Sequence, residues 1–573
     1  MKVELYSPSG KTEVSQIHAR RLGSLAGKRI GLLSNASWQA FRSLPLLKRH
    51  LEEDFPGIEV LPPETFPQGT DFIQLDSTID IVKQSGVDAV IVGNAACGGC
   101  STNCAIAAGK LELAGIPTVT VTREDFVGVV RNAVSGMGLP PDLPMVTFPI
   151  DLFLPNSDLD SLSDRRKEIY ESLTSWSPEL RNDDDSAMMT IEGADYQDVF
   201  TKANDLFLLN RWGDGLPLWP ASRERVDWIL RGTDLPRDHR LGKFPPRGGI
   251  ATVESCAVAL AMAGGRPEYL PVLIASVEAL LDPEALTDFM QATSAATFPA
   301  VIVNGPIAKQ IRVNSGFGCL GPDPKFPAGA SIGRALRQMQ QNLGGAQPGT
   351  GTMAPWGAMR TSNTVFAEDE EGLPSGWLPH ASERHGFAPG TNSVSFFWAN
   401  GATNILRRGA QKETLEQDVV EGLHRTAEYL AVPNYHYLFG YDKGTPGAIL
   451  LTRVVADYLA STGWTKQKIR QFLWDNTKIP QDVLRRSGGI SWIEGAPTQL
   501  GRDSVHKDPW PISSTPDNFI LVVAGGAHPT HAFWMQAISP AVIGRTINVP
   551  EGMSKLLAEA DRDMGCAADA CMI

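Results

Sequence analysis

Between Lys28 and about Pro149 the chain alternates short, continuously apolar runs with longer amphipathic ones. "RIGLLS" (29–34), "GIEVL" (57–61), "DAVIVGN" (88–94), "IPTVTVT" (116–122) and "MVTFP" (145–149) read as buried strands. The segments between them read as helices. Residues 36–53 carry one in which Pro45 predicts a late start or a kink. Phe72, Leu75, Ile79 and Val82 recur at helical spacing, residues 102–114 form a third helix that Ser101 or Thr102 could cap, and 124–134 a fourth that Thr122 and Asp125 could box. Strand–helix alternation of this kind predicts an α/β fold built on a doubly wound parallel sheet, here with flavodoxin-like order.

Beyond residue 150 the pattern changes. Residues 151–200, with "PNSDLDSLSDRRKE" and "RNDDDSAMM", read as a polar connector, and 201–573 as a larger α/β or α+β companion domain that supplies the substrate pocket. Helices are expected at "TVESCAVALAMAG" and "EYLPVLIASVEALL", and Ser331 could cap another carrying Ile332, Leu336, Met339 and Leu343. Long Gly/Pro-rich stretches separate them, and the pattern yields no topology for this part.

At 573 residues the chain is long enough for two or three cores. A net charge of -13, from 51 basic and 64 acidic residues, argues against a nucleic-acid partner. No apolar run reaches the ~18 residues of a membrane span, and the opening "MKVELYSPSGKTEV" has no secretory pattern, so a cytoplasmic protein with no membrane partner is expected. Seven cysteines, thinly spread outside one cluster, do not make a secreted disulfide framework.

That cluster is "CGGCSTNC", Cys97 to Cys104, between the third strand and the third helix. In a doubly wound sheet this is where ligands bind, and the amides of a helix start favour a thiolate. Cys97 and Cys100 with Gly98 and Gly99 between them read as a Cys-x-x-Cys pair in which one thiolate attacks and the other resolves. The two glycines have no evident packing purpose. Cys104 shares the apolar helix face of Ala107, Leu111 and Ala114 and reads as a small core residue. The alternative is a site in which Cys97, Cys100 and Cys104 ligate an iron–sulfur cluster or zinc; no cofactor is otherwise identifiable.

Two segments, "GKRIGLLSNASWQAFRSLPLL" and "DAVIVGNAACGGCSTNCAIAAGKLELAGIPTVTVTREDF", resemble the UGSC family of proteins and selenoproteins, related to the selenoprotein B components of glycine, sarcosine and betaine reductases. The family motif is selenocysteine or cysteine, glycine, serine, cysteine, and Cys97, Gly98, Gly99 and Cys100 stand in those positions. The resemblance covers about the first 150 residues and implies that Cys97 attacks and Cys100 resolves. "RWGDGLPLWPASRERVDWIL" through "IVNGPIAKQIRVNSGFGCLGP" resembles a companion domain found with UGSC-like segments, and implies no activity.

The expectation is therefore a thiol-dependent oxidoreductase or lyase, performing reductive or addition–elimination chemistry on a small organic molecule with an external thiol or protein reductant. The alternatives are a metal-dependent lyase and a non-catalytic thiol protein that binds metal or sulfur. Ser34, Asn35, Asn94, Gly98 and Gly99 are the candidate substrate contacts, with Ser34 and Asn35 expected beside Cys97. His528, after the strand "FILVVAGG", is a candidate acid–base group, and Cys566 and Cys571 a candidate redox relay. Glu368 to Glu371, His380, Glu383 and His385 read as a solvated acidic loop, "GTGTM" at Gly349 as weak evidence of phosphate binding, Asp214 as a turn residue, and Cys256 and Cys319 as core and loop residues.

Overall fold

A computed structural model of the chain describes residues 1–179, 188–357, 362–406, 415–529 and 531–564. In the first region β1 (Arg29–Ser34), β2 (Glu59–Leu61), β3 (Ala89–Ala95), β4 (Thr118–Arg123) and β5 (Met145–Phe148) form one parallel sheet in the order β2-β1-β3-β4-β5. This is the flavodoxin-like order, with its switch point between β1 and β3. Every residue of β3 is buried, as expected of a central strand covered on both faces.

The helices follow the apolar stripes. α1 (Ala40–Asp54) buries Ala40, Leu44, Leu47 and Leu51 and begins at Ala40, so that Pro45 falls in its second turn. α2 (Asp76–Gln84) buries Ile79 and Val82. α3 (Gly98–Leu113) begins four residues earlier than expected, and α4 (Val127–Gly136) is entered through a short 3-10 turn. The expected Thr122/Asp125 box does not form, because Thr122 donates to Ala95 O and Asp125 pairs with Arg123.

Two boundaries differ from the sequence reading. Leu162, Ile169, Tyr170 and Leu173 pack into the first region's core with Leu44 and Leu47, so the supposed connector belongs to that core as far as Thr174. Their apolar face was hidden among Asp, Ser and Arg. Conversely, the N-terminal strand Lys2–Tyr6 pairs antiparallel with Met188–Glu192, and Leu5 and Tyr6 join the core of the second region.

That second region is built on a seven-stranded mixed sheet. Its strands are β6 (Phe298–Asn304), β7 (Thr364–Ala367), β8 (Ser393–Leu406), β9 (Thr445–Leu451), β10 (Ile520–Val523), β11 (His531–Ser539) and β12 (Ile543–Thr546). They run in the order β7-β6-β8-β11-β9-β10, with β12 also on β8. The sheet curls enough for Asp369 N, just past one edge strand, to donate to Val523 O at the end of the other. α5 (Val253–Met262), α6 (Leu270–Leu280) and α8 (Ala328–Asn342) pack on one face, beside the short α7 (Thr287–Ala292). α8 starts at Ala328, so Ser331 lies inside it rather than capping it. No helix among the described residues is long and apolar enough to cross a membrane.

One buried group ties the first region together. The Glu112 carboxylate, near the end of α3, accepts from Ala19 N at 2.8 Å, Thr118 N at 2.6 Å and Thr118 Oγ1 at 2.9 Å, and pairs with Arg21 at 2.8 Å. Its side chain has no exposed area and that of Arg21 only 6%. Replacing Glu112 with Ala leaves a desolvated guanidinium and three donors unmet, and is expected to cost about 3–5 kcal/mol. Asp76→Ala, which removes the exposed partner of Lys110, is expected to cost less than about 1 kcal/mol. Urea midpoints of the two variants measure the difference, and equal shifts would refute the anchoring role of Glu112.

Candidate functional site

Cys97 is the N-cap of α3 and lies just past the carboxyl end of β3. The two cysteines form a capping box: Cys100 N donates to Cys97 Sγ at 3.2 Å and Cys97 N to Cys100 Sγ at 2.8 Å. Sulfur thus fills both positions usually held by a hydroxyl and a carboxylate, and neither Ser101 nor Thr102 caps the helix. The two sulfurs are paired as a disulfide, with Cα atoms 5.3 Å apart. Cys97 is partly exposed, whereas Cys100 is 1% exposed. The pair therefore has an outer and an inner sulfur.

The glycines do have a packing purpose, contrary to expectation. A Cβ on Gly98 would run into Ala292 O, and one on Gly99 into the Phe289 ring. Phe289 and Ala292 belong to α7, so the second region lies directly on the first turn of α3. These residues escaped sequence reasoning, although two adjacent glycines at a helix start were the available signal that another backbone approaches closely. "GTGTM" joins the same seam. Gly128 of α4 lies against Thr350 O, Asn132 Nδ2 donates to Gly345 O at 3.2 Å, and Met353 N donates to Ala292 O at 3.2 Å.

Ser34 and Asn35 lie at the neighbouring strand end, with Ser34 opposite Gly93. Asn35 Nδ2 donates to Asn94 O at 2.6 Å and Asn35 Oδ1 accepts from Asn94 N at 2.9 Å. Asn94 Nδ2 then donates to Trp38 O and Ser43 Oγ. Ser34, Asn35 and Asn94 are all buried, and their bonds clamp the β1 loop to the end of β3, three residues before Cys97. Asn94 Oδ1 and Ser101 Oγ are buried without a hydrogen-bond partner.

Cys104 is fully buried among Val92, Ala107 and Leu111, and burial pushes its thiol up to about 12. Burial likewise raises Cys319, to about 11, and Cys256. Among the described residues no group of three or more His, Cys, Asp or Glu side chains is arranged to hold a metal ion.

His528 follows β10 through Gly525 and Gly526, as its sequence context implied, but in the second sheet rather than beside α3. Its ring lies edge-on to that of His531, with the two Nδ1 atoms 2.8 Å apart. The supposed solvated acidic loop is corrected by the structure: Glu368 and His380 are buried, and Glu368 pairs with Lys466, which also pairs with Glu383. Asp214 makes the expected turn, accepting from Leu216 N, and pairs with Arg334 at 2.7 Å. Cys566 and Cys571 lie outside the described residues.

Residues 4–174 match the model of the UGSC family. The match extends to the last helix of the first region's core and includes the whole parallel sheet. No curated protein and no solved structure matches the chain.

Two outcomes follow from this geometry. After reduction, brief iodoacetamide treatment at pH 8.5 is expected to alkylate Cys97 and spare Cys104, whose thiolate is scarce far below a pKa of about 12; peptide mass mapping reads this directly. Gly98→Ala and Gly99→Ala are expected to speed amide exchange at Phe289–Thr293 while leaving the helix content of α3 in place. Unchanged exchange there would mean that the seam tolerates the added methyl groups.

Proposed function

We propose that the chain is a thiol-dependent oxidoreductase in which Cys97 and Cys100 cycle between dithiol and disulfide while reducing a small organic molecule. The reading is carried by one observation: a partly exposed and a buried sulfur are paired across a helix start at the switch point of a parallel sheet. Helix-terminal amides stabilise an anionic outer sulfur, and the inner one is within reach for resolution. The UGSC match over the first region supports the same assignment of roles.

In the forward reaction the Cys97 thiolate displaces a leaving group from an activated carbon, forming a carbon–sulfur bond. Cys100 then attacks Cys97 Sγ. The sulfur–sulfur bond forms, the carbon–sulfur bond breaks, and the carbon departs with the electron pair and takes up a proton. The substrate gains two electrons and the thiol pair loses two, which an external dithiol restores by exchange. The departing carbon must be able to bear negative charge, so the fitting substrates carry a carbonyl beside it. A cytoplasmic setting, where thiols are kept reduced, suits this cycle.

Oxidised glutathione tests the roles without knowledge of the substrate. The reduced wild-type protein is expected to release two glutathione molecules and close its disulfide. Cys100→Ser should stop at a mixed disulfide on the peptide containing Cys97, Cys97→Ser should form no adduct, and Cys104→Ser should behave as wild type while losing roughly 1 kcal/mol of stability. An adduct trapped on Cys100 instead of Cys97, or none in any variant, would overturn the reading.

A further inference from the structure

A cavity of about 960 Å³ opens in the second region between the strand Lys2–Tyr6, the helix Tyr196–Leu209 and the helix Arg223–Leu230. It shares no lining residue with the surroundings of Cys97. Arg225 and the rings of Tyr196, Trp219 and Trp228 are among its walls. The Arg225 guanidinium lies between two indoles, 5.0 Å from the ring centroid of Trp219 and 5.7 Å from that of Trp228. Phe200 packs edge-on against Trp219 at 6.1 Å.

The charge of Arg225 is not neutralised. Its Nε donates to Ala261 O at 3.0 Å and its Nη2 to Gly265 O at 3.4 Å, and among the described residues no carboxylate pairs with it. A guanidinium has five N–H groups, so these two bonds leave most of its donors without a protein acceptor. Its neighbours differ. Arg223 pairs with Glu4, and Arg266, 5.4 Å from the ring centroid of Trp228, pairs with Glu268 and Asp563. The acidic residues of the wall do not substitute for a counterion, since Glu4 is held by Arg223 and Glu224 is exposed to solvent. A half-buried cation without a counterion is costly unless something anionic meets it, and the indoles and phenol around it offer flat apolar surface rather than further charge.

We propose that this cavity binds a small planar organic anion, an aromatic or heteroaromatic carboxylate, with its ring against Trp219 and Tyr196 and its carboxylate on the open donors of Arg225. The fork geometry of a guanidinium suits a carboxylate, and the volume suits a small molecule. The proposal does not depend on the thiol chemistry of Cys97.

Isothermal titration of the full-length protein with 2-naphthoate, 2-naphthylmethylamine and cyclohexanecarboxylate, followed in parallel by tryptophan fluorescence, tests it. Saturable binding of 2-naphthoate is expected, with no binding of the amine and weaker binding of the non-planar carboxylate. Arg225→Gln should weaken 2-naphthoate by about tenfold or more, the scale of hydrogen bonds to a charged group. Trp219 is 47% exposed, so Trp219→Leu spares the core and should weaken binding severalfold even if Arg225→Gln proves unstable. Absence of saturable naphthoate binding, equal binding of the amine, or unchanged affinity in Trp219→Leu would overturn the proposal.

Discussion

The close approach of α7 to the first turn of α3 is the contact on which the arrangement of the site depends. A backbone carbonyl of the second region lies where a side chain of residue 98 would be and the Phe289 ring where one of residue 99 would be, so glycine fits at both positions between the two cysteines. One constraint has two effects: it seats the regions against each other, and it fixes the backbone that carries both sulfurs. Packing and chemistry therefore cannot be separated at these positions. The order β2-β1-β3-β4-β5 sets the β1 loop beside the end of β3, where the Asn35–Asn94 bonds fix the strand that leads into the same turn.

Buried polar groups impose comparable register elsewhere. Glu112 ties the end of α3 to the start of β4 and to the segment at Ala19 and Arg21. In the second region Glu368 and Glu383 share Lys466, and Glu383 also holds Arg470 at 2.6 Å. His380 is packed beside that network with Lys466, Arg470 and Arg384 nearby; burial and these cations hold its pKa well below the usual histidine value, which keeps it neutral. A charged histidine there would be a further buried cation beside three others, whereas a neutral one adds no charge to a network whose pairs are already matched.

The first region was legible because each strand is a continuous apolar run and each helix an apolar stripe, two periods that are hard to confuse when they alternate. Even Cys104 was readable from its spacing with Ala107 and Leu111. The second region was not, because its neighbours in space are not neighbours in sequence: β8 lies between β6 and β11, and 124 residues separate its end from the start of β11. Its 14-residue length and register shift near Ala399 also blur any simple alternation. Local sequence carries no record of such pairings. The same gap explains the site: the cysteines announced themselves, but Phe289 and Ala292 are an ordinary apolar pair until the fold sets them on Gly98 and Gly99. Likewise Glu368 and His380 sit in a segment polar enough to pass for solvent-facing, and only the curl of the sheet buries them.

Three cysteines on one helix end in different chemical situations for a reason that follows from helix geometry. The unpaired amides of a helix start act within its first turn, and Cys97 and Cys100, at the N-cap and third positions, fall inside it. Cys104 lies one turn beyond Cys100, where backbone amides are already bonded within the helix and the surroundings are the hydrocarbon of Val92, Ala107 and Leu111. Desolvation then acts alone and raises its thiol to about 12. Four residues of helix thus separate a pair of sulfurs at the helix start from a third that is part of the apolar core.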